Sequence, residues 1–147
     1  MKILVPLILG MLLSGCAIHQ TAEPASVTGG EICIIENPDV RPGFLEVYRR
    51  ELEAKGYKTR VVPATSTLFD CPQISRYTAN WTWDMALYLS FADISVYEDG
   101  KRVGHVVYDS TQGGLNLTKF VRAETKIAEL INELFPQPAQ VASDPAP

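Results

Sequence analysis

Chemistry in this 147-residue chain would have to come from two histidines, three cysteines and a scatter of hydroxyls and carboxylates. A serine nucleophile needs a histidine base and a tight turn that exposes its oxygen, and no serine here lies in a Gly-x-Ser-x-Gly turn. His105 alternates within 103–108, which reads as a strand, so it is expected to face solvent or to pack beside Tyr108. Glu98 and Asp99 belong to a hairpin tip, where charges are solvated. A glycosidase would instead hold two carboxylates facing each other across a groove. Thr111-Gln112-Gly113-Gly114 precedes a helix but lacks the Gly-Lys-Ser/Thr ending of a phosphate loop, and reads as a linker. The expectation is a protein that is not an enzyme, with no catalytic residues and no cofactor.

Two other features carry more information. Tyr77, Ala79, Trp81 and Trp83 share one face of a strand, while Thr78, Asn80, Thr82 and Asp84 share the other. The aromatic row Tyr77, Trp81 and Trp83 either covers the helices as core or forms an exposed binding face, since Tyr and Trp dominate interface hot spots. In the last helix, Phe120, Ile127, Ile131 and Leu134 lie on one side. At 100° per residue from Phe120, Glu124 falls inside that apolar stripe. It is expected to be a buried acid, at least half out of solvent, that is matched by an arginine such as Arg76 or Arg122 or sits at a pocket.

The start of the chain has its own pattern. Met1-Lys2 is a short positive start, and 3–13 is an apolar run broken by Pro6 and Gly10. Eleven helical residues rise about 16 Å, roughly half a hydrocarbon core, so the run reads as a secretory signal over 1–15 rather than a span. Leu13-Ser14-Gly15-Cys16 resembles the lipobox of bacterial lipoproteins. That resemblance implies cleavage before Cys16 and lipidation of its thiol and new amino group. Two or more acyl chains anchor stably. Ala17 stands where an Asp commonly retains Gram-negative lipoproteins at the inner membrane, which favours the outer membrane, facing the periplasm.

With Cys16 so used, a zinc site would draw on Cys33, Cys71, His19 and His105, which have no finger-like spacing, so no metal site is expected. In an oxidising compartment Cys33 and Cys71 are expected to form a disulfide. The formal charge is −4, and −5 without Lys2 (12 basic residues minus 17 acidic). An acidic, unclustered balance argues against nucleic acid, whose binding rests on phosphate neutralisation.

These residues need elements to hold them. Residues 16–30 are small and polar and read as a lipidated flexible tether, and 136–147, with four prolines, as a disordered tail. The 105 residues between, 31–135, suffice for one two-layer core. Ile32-Cys33-Ile34-Ile35 reads as a strand buried on both faces. Pro42 then opens a helix with Phe44, Leu45, Tyr48 and Leu52 at helical spacing, paired charges Glu46/Arg50 and Glu51/Lys55, and Gly56 at its end. A second strand follows over 58–64, completing a parallel βαβ unit. Ile94 and Val96 lie on the opposite parity from Leu87, Leu89 and Phe91, which predicts a bulge near Ala92-Asp93. Glu98-Asp99-Gly100-Lys101 reads as a type I′ hairpin, and one long helix runs from Asn116 or Thr118 to Leu134. The expected fold is a single α/β (α+β) domain, a mixed sheet of about five strands with two main helices packed on it.

Ile32-Cys33-Ile34-Ile35-Glu36-Asn37-Pro38, Tyr77-Thr78-Ala79-Asn80-Trp81-Thr82-Trp83-Asp84 and Ala123-Glu124-Thr125-Lys126-Ile127 together resemble a family of small uncharacterised proteobacterial lipoproteins, across 31–135. That family has no established activity, so the resemblance implies no catalytic residue. The element order is also similar to the periplasmic amino-terminal domain of the Tol translocation protein and to related envelope-assembly lipoproteins. That likeness is one of topology, and topology does not fix function. The expected role is a non-enzymatic protein-binding or assembly module that contacts another envelope protein. The alternative is a module for a small envelope ligand, a cell-wall fragment or lipid.

Overall fold

The computed structural model describes residues 17–28 and 30–139. The leader, Cys16 with its expected lipid, and residues 140–147 of the expected tail lie outside the described residues. The chain folds as an α/β domain, one mixed sheet carrying two helices. In chain order the elements are β1 (His19–Glu23), β2 (Glu31–Ile35), α1 (Pro42–Ala54), β3 (Lys58–Val62), β4 (Gln73–Asp84), β5 (Ala86–Glu98), β6 (Lys101–Asp109) and α2 (Ala123–Leu134). The sheet runs β1-β6-β5-β4-β2-β3, with β2 parallel to both β3 and β4 and the other pairs antiparallel.

Each face of β2 has its own work. Ile32 and Ile34 join the main core with Phe44, Val47, Tyr48 and Leu52 of α1 and Ile127, Leu130, Ile131 and Leu134 of α2. Cys33 and Ile35 point to the other face, where Val62, Cys71 and Ile74 form a smaller cluster. Burial on both sides is why the strand reads as continuous hydrophobics. Cys33 and Cys71 are joined by a disulfide, their Cα atoms 6.3 Å apart. The bridge ties the centre of β2 to the segment that enters β4.

α1 begins with Pro42 in its first turn, where a missing N–H leaves no helical bond unmade. It ends in a Schellman closure: Gly56 N–H donates to the Glu53 carbonyl (3.0 Å) and Tyr57 N–H to that of Leu52 (3.1 Å). Tyr57 folds back and meets Phe135 edge-on, ring centres 5.3 Å apart. The expected Glu46/Arg50 pair is replaced, because Arg50 bonds Glu51 and Glu124 instead.

Three expectations are corrected in the antiparallel half. The sheet has six strands, because His19–Glu23, expected to be part of a flexible tether, pairs along β6. Backbone bonds and polar contacts hold this edge, so it needs no apolar period: Gln20 donates to Glu129 and Glu133 of α2 (2.9 Å each) and accepts from Lys126 (3.1 Å). Ala25 N–H then donates to the Leu134 carbonyl at 2.7 Å. Gly104 is what lets the chain pass, since a Cβ there would lie 2.6 Å from the Ala25 Cα.

The bulge lies two residues before its expected place. Asn80 pairs with Phe91 and Trp81 with Leu89, so Ser90 is the extra residue. Its hydroxyl turns inward, donating to the Asn80 carbonyl (3.1 Å) and accepting from Thr82 (2.8 Å). The Asp99-Gly100 turn has both φ angles positive (50° and 79°), as a type I′ hairpin requires. The expected long helix is broken. Leu117–Phe120 forms a 3-10 turn capped by Asn116, and α2 starts only at Ala123.

Candidate functional site

The aromatic row does not stay together. Tyr77 is buried and stacks flat on Phe44, ring centres 5.2 Å apart, and meets the buried Tyr48 edge-on. Phe44 meets Trp81 edge-on at 6.4 Å, and the Arg41 guanidinium lies over the Trp81 ring at 5.6 Å. An aromatic ladder therefore climbs from the core through Tyr48, Tyr77 and Phe44 to Trp81, half-buried, with a cation on its outer face. Trp83, beyond the helices, is 73% exposed. The row is core at Tyr77, groove floor at Trp81 and open surface at Trp83.

Trp81 floors a groove of about 430 Å³ between the N-terminal halves of α1 and α2. Phe44, Val47, Ala123 and Ile127 give it apolar walls, while Arg41, Glu46, Arg50 and Glu124 stand around it. Arg50 Nη1 and Glu124 Oε1 meet across it at 2.9 Å. Glu51 and Glu124 together raise the affinity of the Arg50 guanidinium for its proton. A second hollow of about 410 Å³ lies on the other side of α1, among Asn37, Val40, Leu45, Arg49 and Tyr77, with Glu46 shared. Asn37 fixes it to the sheet by donating its side-chain N–H to the Tyr77 carbonyl at 2.9 Å.

Glu124 is matched by Arg122 and stands at a pocket, as expected, but it is only half buried and not a core acid. Its side chain is 47% exposed and pairs with Arg50 and, at 3.3 Å, with Arg122. Counted inside α2 from Ile131 the phase is the same, about 20° away, so Glu124 is on the apolar side; it stays half exposed because Arg50 of α1 stands opposite it at the rim of the groove. Glu124 also occupies the first turn of α2, where a carboxylate suits the helix dipole. His105, half-buried, bonds the Asp93 carboxylate at 3.1 Å within the sheet. Among the described residues no group of three or more His, Cys, Asp or Glu side chains gathers as a metal site.

Sequence reasoning missed one organising residue. Lys119 is buried, and its ammonium bonds the Asp84 carboxylate (2.6 Å) and the Gly114 carbonyl (2.5 Å) while lying over the rings of Tyr88 and Phe120. It binds the β4–β5 hairpin tip to the 110–117 loop. A lysine among Leu117 and Phe120 in an expected helix gives no such signal, because its partners come from a distant hairpin.

The three stretches that carry the family resemblance meet here. Glu36, Asn37 and Pro38 line the second hollow with Tyr77, while Trp81, Ala123, Glu124 and Ile127 line the first.

No family model matches the chain, and no curated protein matches it. Among solved structures it is similar to PelC from Paraburkholderia phytofirmans, a dodecamer, with a TM-score of 0.53 and 14% identity over 84% of this chain and 99% of PelC. A single-residue variant of that PelC gives a TM-score of 0.54 with the same identity and coverage. At this identity the likeness is one of fold. A minor lipoprotein from Acinetobacter baumannii is more distant, with a TM-score of 0.40 and 11% identity over 74% of this chain and 92% of that one.

Proposed function

We propose that the protein is a lipid-anchored, non-enzymatic binding and assembly module of the bacterial envelope, and that it engages a protein partner at the groove floored by Trp81. One observation carries this reading. An aromatic ladder rooted in the core ends at Trp81, half-exposed, between two helices and under a guanidinium. A rigid Trp beside an Arg, in an apolar groove rimmed by charge, is the composition of an interface hot spot. The charges around it are set for recognition, since Arg50 and Glu124 are already paired with each other.

Anchoring is supported by Lys2, the short apolar run and Leu13-Ser14-Gly15-Cys16. Ala17 after the cysteine supports the outer membrane, with the domain facing the periplasm. No helix among the described residues is long and apolar enough to cross a membrane, which fits attachment by acyl chains. PelC, which shares the fold, is a dodecamer, so copies of this chain belong among the partners to be tested.

The groove volume also falls in the range of small-ligand pockets, and that favours a second reading, a cell-wall fragment or lipid held against Trp81. A photo-reactive residue at position 81 in intact cells separates the two. A discrete protein adduct supports the partner. Adducts to a cell-wall fragment or lipid support the ligand. Intact mass tests the anchor: the mature chain should begin at Cys16 and exceed its polypeptide mass by the acyl groups.

A further inference from the structure

Five of the seven large hydrophobic side chains exposed among the described residues gather on two tied segments. Trp83, Met85 and Leu87 stand on the β4–β5 hairpin, and Leu115 and Leu117 on the loop that Lys119 binds to its tip. Met85 is 88% and Leu115 95% exposed. Met85 also takes φ of +60° at the turn between Asp84 and Ala86, a region that glycine or asparagine would occupy more easily. An apolar residue held in that conformation, fully in solvent, on a hairpin secured by a buried lysine, points to a surface with something to meet.

The described chain begins at this same end. His19 opens β1 opposite Asp109, and Ile18 packs where a Cβ on Gly113 would lie, 3.5 Å away, beside the Lys119 side chain. Ala17 leaves from there. Since His19–Glu23 is a strand and not a tether, Cys16 is three residues from the sheet, a reach of about 10 Å at most. An acyl chain on Cys16 thus has no slack with which to hold the domain away from its bilayer.

We infer that this end is a membrane-seating face: Trp83, Met85, Leu87, Leu115 and Leu117 bed into the surface of the bilayer that holds the Cys16 lipid. The inference rests on the anchor reading and adds an orientation to it. Trp suits that depth, with an apolar ring and one N–H for the headgroups, and Met and Leu supply the apolar contact. Asp84, the carboxylate at the tip, enters with its charge matched by Lys119. The seated face fixes the sheet and leaves the opposite end, where Phe69 lies over Gly100, toward the periplasm.

The chain has two tryptophans, so each reports separately. The purified acylated protein, as Trp81→Phe and as Trp83→Phe, is reconstituted into phosphatidylethanolamine–phosphatidylglycerol vesicles with and without brominated acyl chains. Flotation and intact mass verify the anchor. Bromine should strongly quench Trp83 in the Trp81→Phe protein and quench Trp81 less in the other. Met85→Asp, whose new side chain tolerates the left-handed turn, should still float while Trp83 loses its quenching. Acylated, floating protein whose Trp83 is untouched by bromine and open to aqueous acrylamide would overturn the seating and leave the anchor standing. A mass without acyl groups would remove the anchor, and the seating with it.

Discussion

Arg50 on α1 and Glu124 on α2 meet at 2.9 Å and join the two helices over the groove that Trp81 floors. Both side chains are about half exposed, so the pair shapes the rim more than it holds the fold. Glu124→Ala should leave the thermal unfolding midpoint within the scatter of the wild type. A large loss of stability would mean that the carboxylate is integral to the core.

The next prediction concerns Tyr48, whose hydroxyl shares a 2.6 Å hydrogen bond with Ser75 in the fully buried core. Tyr48→Phe leaves the Ser75 hydroxyl without that partner and should destabilise by about 1–2 kcal/mol, measured by urea denaturation.

Burial also raises the Tyr48 phenol well above its ordinary value of 10, and raises those of Tyr57 and Tyr77 in the same direction. The unfolded chain releases these protons at lower pH than the folded one. Their contribution is therefore fully present below pH 10 and is lost as pH rises above it. Tyr48→Phe should flatten that alkaline loss. An unchanged slope above pH 10 would contradict the assignment to Tyr48.

The Cys33–Cys71 bridge encloses a 38-residue separation that includes α1 and β3. Chain-entropy reasoning values such a closure at roughly 4 kcal/mol, so reduction should lower stability by an amount of that order. Titration of the denatured, unreduced protein should find neither Cys33 nor Cys71 as a free thiol. Two reactive thiols at those positions would refute the bridge.

A last structural test concerns the edge that the sequence hid. Gly104→Val would drive a Cβ into the Ala25 backbone, so the 24–28 segment should lift from the sheet. A broad-specificity protease should then cut within 17–30, a stretch that holds no lysine or arginine for trypsin, while the core resists. Equal cleavage of both proteins in that stretch would mean that the passing segment is not packed.

What was legible in the sequence was what short-range chemistry determines. Pro42, the apolar spacing of α1 and Gly56 mark a helix because each acts within a turn of itself. Asp99-Gly100 marks its hairpin for the same reason, and Cys33 with Cys71 was found by compartment chemistry. β1 was not legible, because an edge strand held by backbone bonds and by Gln20 needs no alternation. Glu124 lies on the side of α2 that its phase gives, but its depth was not legible, because that depends on Arg50 of α1 standing opposite. The break before α2 was hidden for a like reason, since it depends on tertiary contacts: Phe120 packs on Tyr88 of β5, and Lys119 reaches Asp84. The aromatic row was found as a row, but its division depended on where α1 and α2 end. Helices cover Tyr77, border Trp81 and stop short of Trp83.

Site-specific photo-crosslinking from position 81 in intact cells tests the central claim most directly, with position 60 on the exposed edge strand β3 as the control. The account predicts a discrete protein adduct from position 81, absent from position 60 and diminished by Arg41→Glu, which removes the guanidinium over the ring. No protein adduct from position 81, in cells where the chain is folded and in its membrane, would contradict the groove as a partner-binding surface.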